Sequence, residues 1–131
     1  FKASEKEVDP IAVRNIFSTN PPIRDLPRNY FVEAFATTVF LSAILAIAKN
    51  YENWLPIGVG LLVWAVGMGF GGTTGFAMNQ ARDLGPRLAY QILPIGNKAD
   101  NDWKYGLLVP GTAPFVGAIC AALFCRFFLG M

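Results

Sequence analysis

The sequence predicts an all-α membrane protein with three membrane-spanning helices and one short helix that dips into the bilayer and returns. Three observations predict it. Of the 131 residues, 53% are hydrophobic and only 15% charged, against about 25% charged in an ordinary soluble domain. Ten of the twenty charged residues fall in the first 33 positions. Beyond them lie three charge-poor runs, each long enough to cross a bilayer.

Residues 1–29 are polar and turn-rich, with Asp9-Pro10, Asn20-Pro21-Pro22 and Leu26-Pro27. Proline at this spacing predicts an ordered loop rather than a helix. Tyr30–Ala48 is the first apolar run, interrupted only by Glu33; as a helix it spans about 28 Å. A polar turn, Lys49 to Asn53, follows. Trp54–Gly72 reads as the second span, with Tyr51 and Trp54 as interfacial anchors. Gly71-Gly72-Thr73-Thr74-Gly75 is a poor helix and a poor strand. Gln80–Ile92 reads as a helix too short to span, and Pro86 inside it conflicts with the rule that proline suits only a helix start. Pro94–Lys104 is a polar loop. Gly106–Cys125 gives a third span of about 30 Å. The runs do not alternate, which disfavours a β-barrel. Gly67-x-x-x-Gly71 and Gly117-x-x-x-Ala121 suit close helix contact in lipid.

Several functions are excluded by what is missing. The net charge of +2 and pI near 8.7 are too mild for a nucleic-acid partner, and the basic residues form no stripe. With no His, His-based metal sites and His general bases are ruled out. Neither paired carboxylates in a cleft nor a phosphate-binding Gly-Lys-Ser/Thr loop is present, so no enzyme is predicted and no cofactor or metal is implied. Cys120 and Cys125 stand roughly 140° apart on a helix, so they read as buried thiols rather than a disulfide. Phe1 opens a polar stretch, with no signal peptide visible. The loops 1–29 and 94–104 share one side and carry Lys2, Lys6, Arg14, Arg24, Arg28, Lys98 and Lys104. The other side has Lys49 and Arg126, and this charge difference gives no clean orientation.

The chemistry concentrates between Gly71 and Arg87. Extended backbone in lipid is tolerated only where it lines a water-filled path. The short helix then starts near mid-membrane at Asn79 or Gln80, its positive end facing the path and repelling cations and protons. Arg82 lies in its first turn. It either serves the path, pairs with Asp83, or reaches to the interface.

The run Gly75-Phe76-Ala77-Met78-Asn79-Gln80-Ala81-Arg82-Asp83-Leu84-Gly85-Pro86-Arg87 resembles the second signature loop of the major intrinsic protein family. There the usual form is Gly-Phe-Ala-Met-Asn-Pro-Ala-Arg-Asp-Phe-Gly-Pro-Arg, and eleven of thirteen positions match. The Asp after the Arg is similar to glycerol facilitators (aquaglyceroporins). Ile16-Phe17-Ser18-Thr19, Glu33-x-x-x-Thr37, Val109-Pro110 and Pro114-x-Val116-Gly117-Ala118 extend the resemblance over nearly the whole chain.

The resemblance implies the second inverted repeat of the aquaporin fold. Residues 1–29 are then the inter-repeat loop. Residues 30–48, 54–72 and 105–128 are spanning helices, and 73–92 the re-entrant loop and half-helix. It implies a passive, multi-pass plasma-membrane channel for glycerol, other small neutral solutes and water that excludes protons and ions. Arg82, Phe76 and Gly67 would form the selectivity filter. The carbonyls of Gly75, Phe76 and Ala77 would form an acceptor ladder, with Asn79, Gln80 and Ala81 at the pore centre. Glu33, Thr37 and Asp83 would support the loop. A homotetramer of complete pores in membrane lipid follows from the same resemblance.

Two departures qualify this. Gln80 stands where the family has Pro, which replaces a preset helix start with a polar, flexible side chain and removes a packing contact across the pore centre. The chain also holds one repeat, and a pseudo-twofold pore needs two. Either a first repeat or a second chain completes it. The alternative is a non-conducting membrane interaction or assembly protein that keeps the half-fold.

Overall fold

The computed structural model describes residues 9–130; Phe1, Lys2 and Lys6, used in the readings above, lie outside the described residues. Those residues form helices and connecting turns, with no strand among them. Three of the helices are long and apolar enough to cross a membrane.

The first helix, α1 (Pro10–Phe17), is a correction. The expectation of a loop here counted proline as a breaker. Pro10 instead occupies the first helical turn, where its missing N–H costs nothing, and the Asp9 carboxylate accepts the Ile11 N–H at 2.9 Å. The same device lengthens the first span. Helix α2 runs Leu26–Asn50, begun by Pro27 and capped by Asp25, which accepts the Arg28 N–H at 3.2 Å. It therefore starts four residues before the expected Tyr30.

A 3₁₀ turn (Glu52–Trp54) leads into α3 (Leu55–Thr74). Tyr51 and Trp54 at this turn are exposed. Helix α3 runs two residues past Gly72, through a stretch expected to be non-helical. It stops at Gly75, whose φ of +88° is the left-handed exit that glycine adopts cheaply. Between α3 and the next helix only residues 75–79 are irregular. Helix α4 is Gln80–Ile92, and Pro86 lies in its interior rather than near its start. That proline leaves the carbonyl of Arg82 unbonded within the helix, at an exposed residue where it can be served from outside. Helix α5 (Trp103–Phe128) is capped by Asp102 and contains Pro110 and Pro114.

Helices α2 and α5 form the core and run parallel. Tyr30 meets Thr112, the Thr38 hydroxyl donates to the Gly117 carbonyl at 3.1 Å, and Lys49 donates to the carbonyls of Leu129 and Gly130. Gly117 makes the contact possible: a Cβ there would lie 2.5 Å from the Ala34 carbonyl oxygen. Ala121, one turn on, is equally buried. Gly67 and Gly71 behave differently. They face not a neighbouring helix but the ring and Cβ of Phe76, from the irregular segment. Cys125 is buried, whereas Cys120 is exposed, contrary to the expectation of two buried thiols. Helix α3 packs against α2 in antiparallel fashion, yet only 6% of its most apolar stretch is buried. The rest of its surface is left for lipid or further protein.

Candidate functional site

The site is assembled around the irregular segment Gly75–Asn79. Phe76 and Met78 have φ of +59° and +45°, a conformation that L side chains rarely adopt. Such strain persists only where surroundings dictate it. Here Glu33 does so. Its buried carboxylate accepts the Thr74 hydroxyl at 2.5 Å, the Ala77 N–H at 3.2 Å and the Met78 N–H at 2.7 Å. Each trans peptide points its C=O opposite its N–H. Drawing the N–H groups of Ala77 and Met78 to Glu33 therefore turns the carbonyls of Phe76 and Ala77 the other way. None of the Gly75, Phe76 and Ala77 carbonyls accepts a hydrogen bond from a described residue.

Gly67, Phe76 and Arg82 come together. The Phe76 ring lies against Gly67, where a Cβ would touch it at 3.4 Å. The Arg82 guanidinium sits over that ring, 5.8 Å from its centroid. Arg82 forms no ion pair with a described residue. Asp83 is not its partner, because the Asp83 carboxylate is occupied elsewhere. It receives Arg87 Nε at 2.7 Å and Nη2 at 2.9 Å, and also the Thr19 N–H at 2.7 Å and hydroxyl at 2.5 Å.

Arg87 is the main residue that sequence reasoning missed. It is fully buried, and its remaining donors reach the carbonyls of Thr19, Asn101 and Asp102 at 3.0, 2.5 and 3.1 Å. One guanidinium thus ties α4 to the segment before α2 and to the cap of α5. The available signal was Asp83 and Arg87 four apart on a short helix. Arg14 does similar work, donating to the Asp100 carbonyl at 2.8 Å and to Asn20 Oδ1 at 3.0 Å. Thr37 corrects its expected role. Its hydroxyl turns back on the Glu33 carbonyl at 2.8 Å, the usual bond for a helical threonine, so it does not reach the irregular segment.

At the start of α4, Asn79 Oδ1 accepts the Ala81 N–H at 2.8 Å and caps the helix. This leaves the Asn79 amide nitrogen without a partner among the described residues, on an exposed side chain. Gln80 is not flexible as expected: its Nε2 donates to the carbonyl of Gly111. Gly111 lies eight residues into α5 from Trp103, so α4 begins about 12 Å down that helix. An open cavity of about 490 Å³ lies above, lined by Asn15, Ser18, Thr19, Asn20, Gly75 and Arg82 among others.

Residues 10–125 match the family model described as major intrinsic protein. The chain belongs to the major intrinsic protein family. It is 64% identical over its whole length to glycerol uptake facilitator protein 4 of Lactiplantibacillus plantarum, covering 56% of that protein. It is 62% identical to the D/L-lactic acid transporter of the same organism, again covering all of this chain and 56% of the relative. A probable glycerol uptake facilitator of Thermotoga maritima is 44% identical over 87% of this chain and 49% of its own length. The chain spans about half the length of the curated relatives it matches, and its three spanning helices and half-helix constitute a partial half of the major intrinsic protein fold.

Outside the membrane-spanning helices, the major intrinsic protein half is clasped by Arg24 and Asp102. Arg24 Nη2 donates to Asp102 Oδ1 at 2.7 Å, and Nη1 donates to Oδ2. Burial pushes the Asp102 carboxyl up, but the hydrogen bonds and charge of Arg24, aided by the Tyr105 N–H and the charge of Arg14, outweigh it and hold it below the usual value. The hydrogen bonds that Arg24 donates to Asp102 raise Arg24 in turn.

Proposed function

We propose that this chain is the C-terminal repeat of a passive channel for glycerol and other small neutral solutes, with water passing too. The observation that carries this reading is the grouping of Arg82, Phe76 and Gly67, next in the chain to carbonyls and an Asn79 amide nitrogen that no described residue engages. A solute hydroxyl leaving water needs both donors and acceptors. Arg82 and Asn79 supply donors, the carbonyls of Gly75, Phe76 and Ala77 supply acceptors, and Phe76 supplies an apolar wall for carbon-bound hydrogens. The small Gly67 leaves room for the Phe76 ring, which lies against it. The positive end of α4 and the charge of Arg82 oppose protons and cations.

A first repeat or a second chain closes the pore around this face, within the plasma membrane and its lipid. A homotetramer of complete pores is the assembly this reading carries. The names of the relatives support glycerol first and lactic acid second, both small molecules that carry hydroxyl groups.

Stopped-flow light scattering on proteoliposomes of the complete protein tests the reading. Glycerol flux clearly above empty liposomes is expected, and folded protein without flux overturns it. Arg82→Ala is expected to fold with stability within about 0.5 kcal/mol of the parent, since Arg82 is exposed and forms no ion pair with a described residue, touching only the Phe76 ring. It should also admit solutes that the parent rejects. An unchanged solute profile removes Arg82 from the filter.

A further inference from the structure

We propose that Gln80 is a selectivity-determining residue of the channel, acting as an anchored hydrogen-bond acceptor beside the Asn79 donor; this rests on the channel reading above.

Three observations lead there. The Gln80 side chain is tethered: its amide donates to the Gly111 carbonyl of α5. Only the nitrogen end of a carboxamide can serve a carbonyl, so the orientation of the group is decided by chemistry. The oxygen end, Oε1, takes no hydrogen bond from a described residue, and the side chain remains partly exposed. Finally, its chain neighbour Asn79 has the complementary vacancy, with its oxygen committed to the Ala81 N–H and its nitrogen uncommitted.

The reason α5 can hold Gln80 lies in its own sequence. Pro110 and Pro114 remove the N–H donors that would serve the carbonyls of Gly106 and Pro110, whereas the Gly111 carbonyl keeps its helical position opposite Phe115 and takes the Gln80 amide on its second lone pair. Gly111 lies between the two prolines, has no side chain to obstruct the approach, and is buried against the bundle. A proline at position 80 has neither a donor for this carbonyl nor an acceptor to present.

Consequently two adjacent side chains present one donor and one acceptor where α4 begins. A hydroxyl both donates and accepts, as does an undissociated carboxyl group, and either matches this pair with a single functional group. Water matches it as well, but lacks the carbon chain that Phe76 contacts. A solute held by its carbon chain on Phe76 and by a hydroxyl on this pair is held at two points, and loss of the Gln80 acceptor weakens that hold more than it weakens the one-point hold on water.

The test compares the parent with Gln80→Pro and Gln80→Met in proteoliposomes of the complete protein, measuring glycerol and water permeability on the same vesicles. Methionine keeps the length of glutamine and the helical start but neither donates nor accepts strongly, so it decides the matter if the proline variant does not fold. The expected result is a glycerol-to-water permeability ratio lowered roughly three- to tenfold, the weight of one lost hydrogen bond. If glycerol and water permeability fall together at a constant ratio, Gln80 is a structural tether only and the proposal is overturned. An unchanged ratio at unchanged permeability overturns it too. A parent protein that folds but passes neither solute overturns the channel reading and this inference with it.

Discussion

Glu33 and Met78, 45 positions apart, are joined by a 2.7 Å hydrogen bond from the Met78 N–H to the buried carboxylate. That bond and its neighbour at Ala77 hold a stretch of backbone in which two non-glycine residues have positive φ. The two carboxyl oxygens accept all three contacts, so the replacement of Glu33 is informative.

Glu33→Gln keeps the shape but presents an amide nitrogen to groups that are themselves donors. Each hydrogen bond to a charged group contributes about 1.5–3 kcal/mol, and the strained φ values are then held by less. We expect Glu33→Gln to lose on the order of 3 kcal/mol, with faster amide hydrogen exchange at Ala77 and Met78. Exchange at the parent's rate in a stable variant would contradict the bracing role.

Gly106 and Arg87 make the second prediction. A Cβ at Gly106 would overlap Arg87 Nε. Arg87 cannot swing aside without abandoning Asp83 and the carbonyls of Thr19 and Asn101. Gly106→Ala is therefore expected to cost about 1–3 kcal/mol, as overpacking does. Gly60→Ala, where a Cβ meets nothing within 4 Å, should leave the melting temperature in detergent unchanged or slightly raised. Equal melting temperatures for Gly106→Ala and the parent would show that Arg87 is free to move.

The third concerns pH. Asp102 has a depressed folded value. A depressed carboxylate contributes stability above its unfolded value, about 4, and that contribution is lost as pH falls through the folded value. Arg24 is partly exposed, so the pair contributes at most about 1 kcal/mol. Arg24→Gln should lower the unfolding midpoint slightly at pH 7 and make no difference well below pH 4. A deficit that persists at low pH would assign the effect of Arg24 to packing on the Tyr105 ring, 5.6 Å away.

Much of the fold was legible because lipid imposes simple rules. A span needs length and few charges, and Tyr30–Ala48, Trp54–Gly72 and Gly106–Cys125 satisfy both. The misread helix boundaries share one cause, which is that proline and glycine have positional meanings a linear pattern does not reveal. Pro10 and Pro27 begin helices, Pro86 is accommodated inside one, and Gly71 and Gly72 remain helical until Gly75 allows the exit.

The sequence by itself determined the class, the three spans, the family resemblance and the identity of the residues around Gly75–Arg87, since each is a property of local composition or of a contiguous motif. Only the tertiary structure decided which side chain answers which. It paired Asp83 with Arg87 and left Arg82 uncommitted, turned Thr37 away from the irregular segment, and anchored Gln80 on Gly111. Contacts that assemble the site join groups far apart in the chain, 31 positions in Gln80–Gly111, 41 in Glu33–Thr74 and 64 in Thr19–Asp83. Hydrogen-bond demand in a buried site is settled by whichever partner the fold brings within about 3 Å, and no spacing along the chain encodes that distance.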